Sequence, residues 1–155
     1  MRIIPKIEIK NNFVIKGINF EGLRKLGNPK DFIEGYYNDG CDEIIISDIV
    51  ASLYGRNNLF KLIEEKSKSI FIPITLIGGL RNINDINNAF KSGADKVGLN
   101  SAIIKNPNFL KTAIKRYGEA NIVVSIETRK IDGTWKIYYL NGRERTNISL
   151  KEWIY

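Results

Sequence analysis

Histidine is absent from the sequence. That removes His-based triads and most zinc sites, and leaves acid–base work to carboxylates, lysines or tyrosines. Cysteine occurs once, at Cys41, so no internal disulfide is expected and the usage fits a reducing cytoplasm. No run of eighteen apolar residues is available to span a membrane, and no basic-then-apolar leader marks the chain for export. A basic block with interleaved aromatics is missing too. The 24 Lys and Arg against 17 Asp and Glu give a net charge of +7, but the cations are scattered among the acids, which argues against a nucleic-acid partner. A basic protein that handles phosphorylated metabolites accounts for the balance equally well. What remains is an ordinary composition, 43% hydrophobic and 26% charged over 155 residues, enough for one domain with a real core.

The stretch 71–106, FIPITLIGGLRNINDINNAFKSGADKVGLNSAIIKN, organises the reading. Residues 71–77 are a short run rich in Ile and Thr that ends on Gly78-Gly79, which predicts a strand buried on both faces, as in a parallel sheet. A helix over 84–92 follows, with Ile83, Ile86, Ala89 and Phe90 at a spacing that makes one buried stripe. Gly93 stops it, and 95–99 is the next strand. Gly78 and Gly79 let the main chain turn with amide N–H groups uncovered by any Cβ. Asn100-Ser101 occupies the same place after the following strand. A Gly-Gly pair alone can be a simple turn. Joined to an amide and a hydroxyl at the neighbouring strand end, it reads as a cradle for a phosphate.

Elsewhere the chain repeats this grammar. Residues 2–10 are a strand with Ile3, Ile7 and Ile9 as its apolar share, and Glu8 within it requires a partner, because a lone buried charge is costly. Asn11-Asn12 makes a turn into a strand over 13–20, and 21–29 reads as a polar loop. A helix over 31–39 presents Phe32, Ile33, Tyr36 and Tyr37; the strand 42–48 ends on Asp48. Helices are predicted over 58–68, with Leu59, Phe60 and Ile63 inward, and over 108–117, with Phe109, Leu110, Ala113, Ile114 and Tyr117 on one face. The strand 121–127 ends on Glu127. Turn signals at Asp132-Gly133 and Asn141-Gly142 bracket a hairpin around 135–140, and 149–155 opens a helix with Trp153 inward.

An internal repeat supports the parse: Gly40-Cys41-Asp42-Glu43-Ile44 matches Gly93-Ala94-Asp95-Lys96-Val97. Repeating βα units with glycine-stopped helices predict an α/β fold of the (β/α)8 TIM-barrel type. Five of eight strands are present, so residues 1–155 are expected to be the N-terminal part of one barrel domain, cut after the fifth strand and its hairpin. The first and fifth strands would then be edges, and the inward Ile7, Val123 and Ile126 would lack the far wall of the core.

RIIPKIEIKNNFVIKG, DEIIISDIVAS, IPITLIGGLR, GADKVGLNSA and NIVVSIETRK together resemble the cyclase subunit of imidazole glycerol phosphate synthase, in register across all five strands. The resemblance implies a cytoplasmic lyase subunit of a glutamine amidotransferase, without a cofactor. It would take ammonia from a glutaminase partner and convert a phosphorylated ribulosyl carboxamide into imidazole glycerol phosphate, a step of histidine synthesis. Position by position, it places the catalytic acid and base on Glu8 and Glu127, where the family has aspartates. Lys16, Asp48 and Ser125 match polar positions near the active site, and Gly78, Gly79, Asn100 and Ser101 lie at the first of two phosphate sites. Arg2, Glu43 and Lys96 match charged residues around the ammonia entrance at the opposite end. Lys6 stands where the family usually has a small residue such as Cys. The segments NFEGLRKLGNP and SDIVASLYGRNNL look closer to paralogues from surface-polysaccharide clusters, which implies as alternatives ammonia delivery to a sugar amidotransferase, or an inactive partial barrel.

Overall fold

A computed structural model describes residues 1–18, 22–51 and 59–155. Parts of the segments 19–29 and 47–59, which carry the likeness to the polysaccharide-cluster paralogues, lie outside the described residues. Five parallel strands run side by side in chain order: β1 (Lys6–Lys10), β4 (Ile44–Asp48), β5 (Ile74–Ile77), β6 (Lys96–Leu99) and β7 (Ile122–Val124). The helices α1 (Pro29–Asn38), α2 (Phe60–Lys66), α3 (Ile83–Lys91), α4 (Ser101–Lys105) and α5 (Pro107–Tyr117) lie in the connections between them. Consecutive parallel strands joined by helical crossovers make the sheet a partial barrel, and it does not close. Pro5 and Pro73, which have no N–H to give a ladder, stand immediately before β1 and β5. These strands therefore begin later than the residue pattern suggests, and Phe71 is left 80% exposed ahead of β5.

Alternation along the strands divides the residues between two faces. Ile7, Ile46, Leu76, Val97 and Ile122 align across the sheet in one row. The first four belong to the core that includes Ile33 of α1, Ile63 of α2, Ile86 and Ala89 of α3, and Ala113 of α5, and Ile122 packs against it partly buried. Ile7 thus faces the helices, not the barrel interior as expected, and it is buried. On the other face Glu8, Ser47, Ile77, Gly98 and Val123 align, with Lys6, Ile45, Thr75 and Lys96 in the row below. A Cβ on Gly98 would collide with the Ile77 side chain, so this row needs its glycine for space. The helix stripes hold in large part, although Tyr36 and Ile114 are 40% and 37% exposed.

The expected polar loop over 21–29 is instead largely a strand. β3 (Gly22–Gly27) pairs antiparallel with β2 (Phe13–Ile18), and β2 pairs with β1 through the Asn11-Asn12 turn, whose residues have φ of +49° and +69°. The first parallel strand is consequently covered on both sides, and the sheet edges are β3 and β7. After β7 comes a second sheet, β8 (Glu127–Ile131), β9 (Thr134–Tyr139) and β10 (Glu144–Ser149), antiparallel in the order β10-β9-β8. The predicted hairpin is present and carries one strand more. The helix α6 (Leu150–Ile154) starts from a capping box between Ser149 and Glu152, and Trp153 packs partly buried against the main core.

The repeat has a structural meaning. Asp42 Oδ2 accepts from the Ile3 N–H at 2.5 Å, and the Asp42 N–H donates to the Ile3 carbonyl at 2.9 Å. Asp95 forms the same two-bond clasp with Ile74, at 2.8 and 2.9 Å. The acid of each repeat therefore fastens the beginning of the neighbouring strand.

Candidate active site

At the C-terminal ends of β4, β5 and β6 the turns surround a cavity of about 500 Å³. Gly78 and Gly79 turn the chain there with φ of +109° and +71°, and a Cβ on Gly78 would strike the carbonyl of Asp48. No side chain other than hydrogen meets both demands. Asn100 and Ser101 line the same cavity from the end of β6, and Asp48 from the end of β4. Both polar atoms of the Asn100 side chain are buried without a hydrogen-bond partner among the described residues. A buried amide left in that state is costly, and it is suited to take a polar ligand. The Ser101 hydroxyl accepts from the Leu140 N–H at 3.1 Å, so the turn between β9 and β10 reaches over this end of the cavity. Asp48, 6% exposed, accepts from the Val50 N–H at 2.9 Å, an Asx turn that fixes its carboxylate.

Glu127 lines this cavity and a second, wider one of about 1160 Å³ between β1 and the second sheet, which Glu8 also lines. The sequence puts Glu127 at the end of the fifth strand; in the fold it lies beyond β7 and is the first residue of β8. Its carboxylate accepts from the Gly142 N–H at 2.8 Å. Burial pushes the Glu127 carboxyl above its ordinary value; the Gly142 N–H and Lys6 oppose this, and Glu8 adds to it. Glu8, expected to be a buried charge, has a side chain 38% exposed, and Lys6 Nζ donates to its Oε1 at 2.9 Å. Ser125 borders the first cavity. Lys16 is not brought to the site: it is exposed, opposite Arg24 in the β2–β3 pair, and lines neither cavity.

Arg2, Glu43 and Lys96 do meet, at the opposite end of the strands. Glu43 is 4% exposed and accepts from Lys96 Nζ at 2.7 Å and the Thr75 hydroxyl at 2.6 Å, with an Arg2 guanidinium nitrogen 3.8 Å away. Burial pushes the Glu43 carboxyl up, but the hydrogen bonds from Lys96 and Thr75 outweigh it and leave the group below its ordinary value. Reading the residues one at a time misses Thr75, although it shares a row with Lys96 and the alternation of β5 points to it. Lys105, Arg81 and Asn82 also line the smaller cavity without having been singled out. Their signal is position alone, just after the two strand ends that carry Gly79 and Asn100.

No helix among the described residues is long and apolar enough to cross a membrane. The profile of a family described as histidine biosynthesis protein matches residues 2–155. Several relatives carry the name imidazole glycerol phosphate synthase subunit HisF. That of Legionella pneumophila is 42% identical over 99% of this chain and 73% of its own length. Those of Streptococcus mutans and Bacillus cereus are 39% and 38% identical over 99% and 98% of this chain. The chain spans 61% of the length of each of these two.

Proposed function

The chain belongs to the histidine biosynthesis protein family, and from that premise we propose that it forms the first five βα units of a cyclase subunit of imidazole glycerol phosphate synthase. In this role it uses ammonia from a glutaminase subunit to make imidazole glycerol phosphate from a phosphorylated ribulosyl carboxamide in the cytoplasm. The observation that carries the reading is the buried, unpartnered Asn100 amide in one cavity with the Gly78-Gly79 turn and Glu127. An amide and open main-chain N–H groups suit a phosphate, and a carboxyl whose protonated form is favoured by burial suits proton donation.

Each residue then has a chemical task. Gly79, Asn100 and Ser101 bind one substrate phosphate, the Ser101 hydroxyl donating its hydrogen to it while its oxygen still accepts from the Leu140 N–H. Glu127, whose protonated form is favoured by burial, gives a proton to the departing group. Glu8, paired with Lys6, accepts the proton released as ammonia adds. Asp48 and Ser125 contact the substrate between them. Ammonia enters past Arg2, Glu43 and Lys96, and the glutaminase docks on that end. Lys16 lies away from the cavities on the β2–β3 hairpin and takes part only if that hairpin folds over the bound substrate.

Two measurements test this. Inorganic phosphate added to the 155-residue chain is expected to perturb the Gly79, Asn100 and Ser101 amide resonances, and Asn100→Leu to abolish the effect. Perturbation confined to other residues would remove the cradle. In a barrel completed by the segment the longer relatives carry, Glu127→Gln is expected to lower ammonia-dependent turnover by about 10²–10⁴. Unchanged turnover would take Glu127 out of the mechanism.

A further inference from the structure

Lys6 precedes Glu8 by two residues on β1, so both side chains project from the same face of the strand. Its ammonium donates to Glu8 Oε1 at 2.9 Å, and the two side chains are 47% and 38% exposed. Lys6 also lines both cavities, as Glu127 does. A cation therefore bonds one carboxylate and lines the same two cavities as the other, and the two carboxylates repel one another when both are ionised. We propose that Lys6 is a positioning residue, which seats Glu8 by a charged hydrogen bond and sets the charge that Glu127 experiences, so that the two carboxylates serve different roles. The proposal rests on the reading that both carboxylates face one substrate.

The surroundings of Glu127 favour Lys6 over the other cations as the group responsible. Besides Lys6 and Glu8, the charged groups lining the two cavities among the described residues are Asp48 of β4, Arg81 after β5, Lys105 of α4, Arg129 and Lys130 of β8, and Arg143 in the turn between β9 and β10. Tyr138 is the cross-strand neighbour of Glu127. Asp48 is turned to the Val50 N–H, Arg81 pairs with Asp85, Lys105 lies over the Tyr139 ring and Arg129 over the Tyr138 ring. Of these cations Lys6 alone lines both of the cavities that Glu127 lines, and its charge opposes the rise that burial and Glu8 impose on the Glu127 carboxyl.

The test is a carbon-13 NMR titration of the Glu127 side-chain carboxyl in the 155-residue chain and two variants. Lys6→Met keeps the aliphatic stem at a site that is nearly half exposed, and removes the charge. Its Glu127 midpoint is expected to move to higher pH, because a cation that holds the carboxyl down has gone. Lys6→Arg restores the charge and is expected to return the midpoint to that of the unsubstituted chain. A midpoint unmoved in Lys6→Met, or displaced equally in Lys6→Arg, would overturn the proposal. Because the titration needs no turnover, a failed cyclase assay would count against the function and leave the role of Lys6 to be decided by these midpoints.

Discussion

Burial acts on Glu43 and Glu127 in the same direction, yet the two carboxyls end on opposite sides of their ordinary value, because their partners differ. Glu43 has Lys96 and Thr75 at hydrogen-bond distance, whereas against its burial Glu127 has one main-chain N–H and the charge of Lys6, with the Glu8 carboxylate opposing them. The consequences for stability have opposite signs. Glu43, lowered in the fold, stabilises at pH above the ordinary carboxylate range, and this is lost as pH falls through its lowered value. Glu43→Gln is therefore expected to be less stable than the unsubstituted chain at neutral pH, by about 1–3 kcal/mol for lost hydrogen bonds to charge, with the gap closing in acid. Glu127, raised in the fold, loses stability as pH rises through its raised value. Glu127→Gln should melt higher than the unsubstituted chain at neutral pH and equally at acid pH. Melting curves across pH check both, and parallel curves for either variant would contradict the assignment. At this scale Glu8 inside an apolar strand and Glu127 after an apolar run stand out along the chain, whereas the grouping of Arg2, Glu43 and Lys96, which the fold brings together, was implied by the family resemblance and by no local pattern. Lys16 stands away from the cavities because its place depends on the pairing of β2 with β3, which no local pattern reveals.

Elements were readable where a period was long enough to repeat. The stripes of α3 and α5 and the apolar runs of β4, β5 and β6 stand out because each must bury a face. β3 did not, since Gly-Leu-Arg-Lys-Leu-Gly offers two glycines and two cations and is held as a strand by the edge that β2 presents. Nor does single-strand reasoning reveal that Gly98 makes room for Ile77 on the adjacent strand. Gly98→Ala is expected to cost about 1–3 kcal/mol through overpacking, and Ile77→Ala in the same chain to recover part of it. Urea unfolding of the two single variants and the double variant supplies the cycle. Additive losses would mean that the β5–β6 contact does not set the requirement.

Across the whole molecule, a curved parallel sheet with one face packed by helices leaves its other face lined by cavities and its β7 edge without a ladder partner among the described residues. Val124 and Ile126, 38% and 39% exposed, lie at that edge. Unpaired strand edges beside apolar side chains promote association. Sedimentation of the 155-residue chain is expected to show concentration-dependent self-association, and a sharp monomer boundary at every concentration would contradict it. The Asp42 and Asp95 clasps bear on how such a sheet is put together. Each closes backwards along the chain, Asp42 to Ile3 across 39 residues and Asp95 to Ile74 across 21. During synthesis each unit can latch onto the strand already made, without waiting for anything downstream. The growing sheet thus has a ratchet, and its first tooth should be visible in solvent exchange. The Ile3 amide, ahead of β1 and attached to a side chain 62% exposed, should exchange its hydrogen as slowly as amides inside the sheet, and Asp42→Ala should release it.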